Sequence, residues 1–191
     1  MSTTAIDLLA PVHRITIEQY DQMVDAGVFV EWPRVELIDG LLVEMSPMGE
    51  PHSLAIVWLT RSIIRQLDEF QMLGPQIPVR MAEFRSAPEP DIFVTTPDDF
   101  RSGRPKPLLT IEVSDASLGY DRITKARLYA RRELPDYWIV NLRERVVEIH
   151  RAPVDGAYTE HTVHTAGATL RPLLLPDVTL ELDDLLAFVD G

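Results

Sequence analysis

Two acidic residues in apolar surroundings mark the part of this sequence that could carry out chemistry. Asp91 lies at the start of a predicted strand, 90–95, and Glu112 lies within the next, 108–114. A carboxylate beside strongly apolar residues is costly unless it is paired or binds a cation. Because hard divalent cations such as Mg²⁺ prefer oxygen ligands, the two side chains predict a shared metal site. The alternative is a pair of strand-end carboxylates that meet solvent or cap neighbouring amides.

Alternation along the second strand separates the acidic side chain from the hydrophobic core. Leu109, Ile111 and Val113 fall on one face, and Thr110, Glu112 and Ser114 fall on the other. On the preceding strand, Asp91 is predicted to face away from the side that carries Ile92 and Val94. The two carboxylates would therefore lie on neighbouring strands, each displaced from an apolar face.

Three residues on the following predicted helix, Asp121, Lys125 and Tyr129, recur every four positions. This spacing places their side chains on one helix face. The simplest interpretation is an ion pair between Asp121 and Lys125, which contributes only about 0.3–0.5 kcal/mol on a helix surface. Tyr129 is expected to pack in the core.

Two histidines near the C-terminus, His161 and His164, are three positions apart on a predicted strand, 158–164. Since side chains alternate along a strand, this spacing directs them to opposite faces, and the pair is not predicted to bind a metal. Tyr137 and Trp138 are expected to be core or sheet-face aromatics.

The N-terminal half is predicted to form a helix, a hairpin and a long core helix. The first helix covers 14–26, with Thr16 as its N-cap. Asp39-Gly40, within the alternating run 34–45, is a strong hairpin signal, and two-residue closure there puts four residues on one face: Glu36, Ile38, Leu41 and Val43. Pro51 suits the opening of a core helix over 52–70.

The remainder is predicted to be richer in strands. Strands are expected at 76–84, 90–95, 108–114, 136–142, 146–151 and 158–164, with helices at 121–132 and 182–189. A polar connection spans 97–107, and Pro135 ends the penultimate helix. Strands interleaved with helices and hairpins predict an α/β fold with a mixed central β-sheet flanked by α-helices on both faces. With 191 residues and no linker, residues 1–191 are expected to form one domain, with its core at about 14–190.

Composition narrows the classes of function. Cysteine is absent, which excludes disulfides, thiolate metal sites and a cysteine nucleophile, and favours a reducing cytoplasm. No apolar run approaches the roughly 18 residues of a membrane span, and residues 1–11 lack the basic flank of a secretory signal.

The net charge of −12 is unusual for a partner of nucleic acid, because an acidic chain repels polyanions. Basic residues do cluster at Arg122, Lys125, Arg127, Arg131 and Arg132, with Arg101, Arg104 and Lys106 upstream. This cluster could contact a polyanion, or it could be an ordinary solvated helix face.

The ordered motifs of the chain resemble a known family. They are Glu36-Leu37-Ile38-Asp39-Gly40, Pro90-Asp91-Ile92, Ile111-Glu112-Val113-Ser114, the set Asp121, Lys125 and Tyr129, and Asp136-Tyr137-Trp138-Ile139-Val140. Together they are similar to the Uma-type restriction endonuclease family of the PD-(D/E)XK nuclease superfamily. The resemblance covers about 14–190 and implies a restriction-endonuclease-like fold.

The resemblance implies a site with one departure from the superfamily pattern. Asp91 and Glu112 would hold Mg²⁺ or Mn²⁺, but Ser114 stands where the third motif position calls for lysine. A cation near the scissile phosphate orients the attacking water and offsets developing charge. The resemblance implies that Lys125 supplies it from the helix. His52 and Glu36 are further candidate metal ligands, with a packed histidine and a structural partner as their alternatives.

The function implied is metal-dependent hydrolysis of phosphodiester bonds in nucleic acid, with DNA as the expected substrate and a homodimer as the expected assembly. Two alternatives stay open. The chain could be a catalytically inactive scaffold or binding module that keeps the nuclease fold, which the missing motif lysine and the acidic balance favour. It could also hydrolyse another phosphate ester at the same metal site.

Overall fold

The computed structural model of the chain describes residues 12–31 and 33–191. A six-stranded sheet forms its centre, with strand order β3-β4-β5-β6-β7-β8. These strands are Met72–Pro75, Ile92–Thr95, Leu109–Ser114, Asp136–Asn141, Val146–Val154 and Ala157–His164, in that order. Only the β5–β6 pair is parallel, so the sheet is mixed, as the sequence predicts.

Helices cover both faces of this sheet, and each face has its own core. On one face, α2 (Glu50–Ile64) and α6 (Leu182–Asp190) pack on a cluster that includes Leu109, Ile111 and Trp138. On the other face, α5 (Ala126–Arg131) packs against Phe93, Tyr137 and Ile139. Tyr137 and Trp138 are both fully buried, which confirms their assignment as core aromatics. The predicted fold class, a mixed sheet flanked by helices, is therefore correct.

The predicted N-terminal hairpin forms at the expected place. Strands β1 (Val35–Ile38) and β2 (Leu41–Glu44) pair in the register Glu36↔Val43 and Ile38↔Leu41. Asp39 and Gly40 have φ angles of 48° and 77°, as a tight two-residue turn requires. The hairpin makes a separate small sheet, and Leu37 bridges to Ala87 in the connection before β4.

Most other predicted elements are present with shifted ends. The first helix, α1, is Ile17–Asp25, capped by Thr16 through a capping box with Gln19. Pro51 lies in the first turn of α2, as predicted. The connection 97–107 contains a short helix, α3 (Pro97–Arg101). Two further short strands, β9 (Thr169–Leu170) and β10 (Leu180–Glu181), pair with each other before α6.

The core helix is shorter than predicted. The core helix ends at Ile64 rather than at 70, because Asp68 and Gln71 form a polar turn in which the Asp68 carboxylate accepts the Phe70 N–H. Leu67 still packs against the core from this turn.

The strand predicted at 76–84 does not form. Gln76 has a φ of 50°, and Pro78 has no N–H to donate to a neighbouring strand. The segment instead folds back on itself through the Met81↔Ser86 bridge around the 3₁₀ turn Ala82–Phe84. The strand at this edge of the sheet is β3, four residues earlier.

The helix that was predicted over 121–132 begins earlier and has an irregular centre. It consists of α4 (Leu118–Tyr120), a π-helical segment (Asp121–Lys125) and α5, and we call residues 118–131 the site helix. Among the residues that the structure describes, no helix is long and apolar enough to cross a membrane. The prediction about residues 1–11 lies outside the described residues.

We expect Gly40→Ala to destabilise the protein more than Gly103→Ala. Both glycines have a left-handed φ, 77° and 71°, which costs an alanine about 1–2 kcal/mol. A Cβ at Gly40 would also lie 2.6 Å from Arg14 Cβ, whereas nothing lies within 4 Å of one at Gly103. Urea unfolding measures both; equal losses would show that the segment around Arg14 moves aside without cost.

Candidate active site

A cleft of about 790 Å³ lies between the hairpin, the start of α2, the adjoining ends of β4 and β5, and the site helix. All five residues that the sequence singles out line it: Glu36, His52, Asp91, Glu112 and Lys125. They come from five different segments of the chain. The fold therefore brings together the complete predicted set, and the buried Asp121 joins it.

Asp91 is fixed through one of its two oxygens. Its Oδ2 accepts the Val113 N–H at 2.8 Å and lies 3.2 Å from His52 Nε2. Oδ1 has no protein partner within the described part of the chain. Because Asp91 is nearly buried and lines the cleft, Oδ1 is the oxygen left to bind a ligand.

His52 supports Asp91 from the first turns of α2. Burial lowers the pKa of His52, but the hydrogen bond to Asp91 and the charge of that carboxylate outweigh burial, so the pKa lies above its usual value. The other ring nitrogen, Nδ1, is buried without a hydrogen-bond partner. His52 is thus neither a simply packed histidine nor an exposed one; it contacts the carboxylate of the site.

Glu112 is likewise held through one oxygen. Its Oε1 accepts the Tyr129 hydroxyl at 2.7 Å and lies 2.9 Å from Lys125 Nζ. Burial raises the pKa of Glu112 well above its usual value, against the opposing effect of the Lys125 charge. Over the described residues, Oε2 has no protein partner. Asp91 and Glu112 therefore each keep one oxygen that the protein does not use.

Lys125 is a buried ammonium surrounded by acidic groups. It lies 2.9 Å from Glu112 and 3.7 Å from Glu36 Oε2, and 5.8 Å from the centre of the Tyr120 ring. Burial disfavours its charge, but Glu112 and Glu36 reverse this and raise the pKa of Lys125 above its usual value. The helix-surface ion pair with Asp121 is not what forms, because the ammonium contacts residues of β5 and β1 instead.

The π-helical segment explains how two residues of one helix turn reach the cleft. Asp121 and Lys125 are both buried within this wider turn, a feature that is frequent at functional sites. Asp121 Oδ2 accepts hydroxyl hydrogen bonds from Ser114 and Ser117, each at 2.6 Å. Burial raises the pKa of Asp121, while Lys125 and the two serines oppose the rise. Ser114, two residues after Glu112 on β5, therefore helps to orient Asp121.

Glu36 is engaged at both of its oxygens. Oε1 accepts the Tyr120 hydroxyl at 2.8 Å, and Oε2 accepts the Glu89 N–H at 3.0 Å. Only 1% of Glu36 is exposed. The residue ties the hairpin to the site helix and to the segment before Asp91, which supports its alternative role as a structural partner.

Sequence reasoning missed two contributors. Tyr129 packs in the core as predicted, yet its hydroxyl also holds Glu112. Asp121 appeared only as a motif member and a partner of Lys125. The available signal was the four-residue spacing of Asp121, Lys125 and Tyr129, which puts three polar side chains on one helix face; if that face is buried, each of them needs a polar partner.

The basic cluster on and after this helix is largely neutralised by ion pairs. Arg122 bonds both oxygens of Glu148, Arg131 lies 3.0 Å from Asp39, and Arg132 lies 2.9 Å from Glu83. These pairs favour the interpretation of a solvated, salt-bridged surface over that of a dedicated polyanion surface.

Comparison with known sequences agrees with the geometry. The profile of the Uma2 family, described as "Putative restriction endonuclease", matches residues 17–183. The chain belongs to the Uma2 family. The search of curated proteins gave no match.

Among solved structures, the Uma2 chain is similar to a protein from Anabaena variabilis described as "a putative nuclease belonging to DUF820". The two are 18% identical, with a TM-score of 0.68 over 92% of this chain and 99% of the other. At this identity the likeness supports the fold. It agrees with the mixed sheet and flanking helices described above.

We expect Lys125→Met to lower the free energy of unfolding by about 3 kcal/mol or more, because it leaves buried carboxylates without their cation. The matched control is Arg127→Met, two residues on, whose partner Asp39 lies 3.7 Å away and whose side chain is 66% exposed. That change should cost less than about 1 kcal/mol. Chemical denaturation compares the two, and similar small losses would contradict the importance of the buried pair.

Proposed function

We propose that the chain is a Mg²⁺- or Mn²⁺-dependent endonuclease that hydrolyses phosphodiester bonds in DNA. Asp91 and Glu112 are the metal ligands, and Lys125 is the cation that contacts the scissile phosphate or its attacking water. One observation carries the proposal. Asp91 and Glu112 line one cleft, and each keeps one carboxylate oxygen without a protein partner among the described residues, while the buried Lys125 ammonium lies 2.9 Å from the other oxygen of Glu112.

The donor set suits a hard divalent cation. Mg²⁺ is usually held by one or two carboxylates, with water and substrate oxygens completing its shell. Among the described residues, neither Asp91 nor Glu112 belongs to a group of three or more acidic or histidine side chains at close ligand spacing, so an ion bound there would take its remaining ligands from water and phosphate. When bound, such an ion activates water and stabilises the leaving oxygen.

The protein groups around these ligands would position them. The Val113 amide and His52 hold Asp91 in one orientation, while Tyr129 and Lys125 hold Glu112. We assign His52 and Glu36 positioning roles, because His52 Nε2 contacts Asp91 and both oxygens of Glu36 accept hydrogen bonds. Glu36 acting as a direct ligand would require it to give up one of these partners, and His52 would have to leave Asp91 or bind through its unpartnered Nδ1.

Lys125 would replace the lysine that the third motif position lacks. Its ammonium lies beside Glu112 on the cleft, and the surrounding carboxylates keep it protonated. A fixed positive charge at this point offsets the charge that develops on a phosphoryl group in the transition state. Because acidic side chains outnumber basic ones in the cleft, a bound cation and Lys125 together would make it attractive to a phosphate.

We expect saturating Mg²⁺ or Mn²⁺ to stabilise the wild-type protein. A ligand at about 100 times its dissociation constant adds about 2.7 kcal/mol to the unfolding free energy. The gain should disappear in Asp91→Asn and persist in Asp98→Asn, a control carboxylate whose side chain is 98% exposed. Denaturation with and without metal measures the gain within each variant; stabilisation that survives Asp91→Asn would remove this residue from the metal site.

We also expect metal-dependent cleavage of DNA to fall at least about 100-fold in Glu112→Gln and in Lys125→Met, the scale on which single groups that stabilise transition-state charge act. Time courses on plasmid and linear DNA, with matched RNA, measure the rates, and Asp98→Asn should retain wild-type cleavage. Since Lys125→Met also affects folding, Lys125→Arg provides a second variant that keeps the charge.

The competing hypothesis is a nuclease-fold scaffold without catalysis, which the acidic surface and Ser114 favour. It predicts metal binding without turnover on DNA or RNA. Hydrolysis of a small phosphodiester but not of a polymer would instead favour activity on another phosphate ester.

A further inference from the structure

We propose that the chain carries a second metal site, formed by Glu148, His150 and His161 on the β7–β8 hairpin, which binds Zn²⁺ or a similar borderline transition metal. The proposal is independent of the nuclease proposal, because none of the three residues belongs to the cleft described above.

Strand geometry brings the three side chains to one place. Glu148 and His150 are two positions apart on β7, so they share a face of the sheet, and His161 on β8 is directly opposite His150. One ligand atom from each residue lies within 4.8 Å of the other two. The two imidazole rings stack with their centres 4.5 Å apart. The sequence spacing predicts no metal site for His161, because His164 lies on the opposite face of β8; the structure instead pairs His161 with His150 on the neighbouring strand.

The histidines are in a state that suits coordination. His150 Nε2 is buried and has no hydrogen-bond partner, which is uncommon for a buried polar atom. The His161 side chain is 47% exposed, which gives an ion access from solvent and allows this ring to rotate toward it.

Glu148 is anchored and still has room for a ligand. Arg122 Nη2 and Asn141 Nδ2 donate to Oε1, while Oε2 accepts from Arg122 Nε alone. A carboxylate offers about four acceptor positions, and these three bonds leave one at Oε2. This oxygen is also the one that faces His161, with Oε2 3.8 Å from His161 Nε2. Arg122 and Asn141 would therefore orient the ligand, as groups behind metal ligands commonly do.

Ligand chemistry separates this site from the cleft. Two imidazoles and one carboxylate, with a fourth position open to water, is a donor set typical of Zn²⁺, whereas Mg²⁺ prefers oxygen alone. The bound ion would clip β8 to β7. Most side chains of β8 are exposed, so a bound ion would add a tertiary interaction on the exposed side of this edge strand.

The test is calorimetric titration of the full chain with Zn²⁺, with Co²⁺ absorption as a spectroscopic check on imidazole ligation. The decisive variant is His161→Asn, and the matched control is His164→Asn, on the same strand but pointing to the other face. We expect His161→Asn to weaken this binding by at least about 100-fold, since even groups outside the coordination shell change metal affinity by 10–100-fold. His164→Asn should bind like the wild type.

Asp91→Asn separates the two sites, because it should leave this Zn²⁺ binding unchanged. Absence of Zn²⁺ binding by the wild type, equal binding by His161→Asn and His164→Asn, or loss of binding in Asp91→Asn would each overturn the proposal. The first of these outcomes would leave the three side chains as an ordinary histidine–glutamate contact at a sheet edge.

Discussion

The ion pair between Lys125 and Glu112 is the interaction around which the cleft is organised. Both groups are almost fully buried; Asp121 and Glu36 lie close enough to act on both charges, and Asp91 acts on Glu112. A buried ion pair of this kind adds little net stability, because the cost of removing two charges from water offsets their attraction. Removing one partner, however, leaves the other charge uncompensated. The fold is therefore stable with both buried charges present and is destabilised when either one is removed.

The elements that meet at this pair have different roles. Asp91 directly precedes β4 and Glu112 lies within β5, so the pairing of these strands brings the two residues near each other, and the Val113 amide donates a hydrogen bond to Asp91. The site helix contributes Lys125 through a π turn that also buries Asp121. The small hairpin lines the cleft and connects to the same helix through the hydrogen bond from Tyr120 to Glu36. Since every carboxylate is oriented by a partner from another element, the geometry depends on the assembled sheet and helices rather than on any single loop.

Local signals predicted the fold best where the chemistry of one or two residues decides the backbone. Asp39-Gly40 adopts the left-handed turn that this dipeptide favours, and Thr16 caps the first helix. Prediction failed over 76–84, where alternating apolar residues suggested a strand but Pro78 and the left-handed Gln76 made a loop. It also overextended the core helix, because Leu67 continues the apolar spacing while Asp68 and Gln71 form a turn. In both places the apolar pattern reports burial, and burial does not require regular structure.

The sequence by itself determined which residues are available for chemistry: two carboxylates on predicted neighbouring strands, a lysine on the next helix, and His52 and Glu36 near them. Tertiary structure decided what each one contacts. It placed Lys125 against Glu112 rather than Asp121, used Tyr129 to hold Glu112, and set His161 opposite His150. Spacing along one chain fixes only which face a side chain occupies. The partner across that face comes from another strand or helix, whose register depends on how the whole core packs.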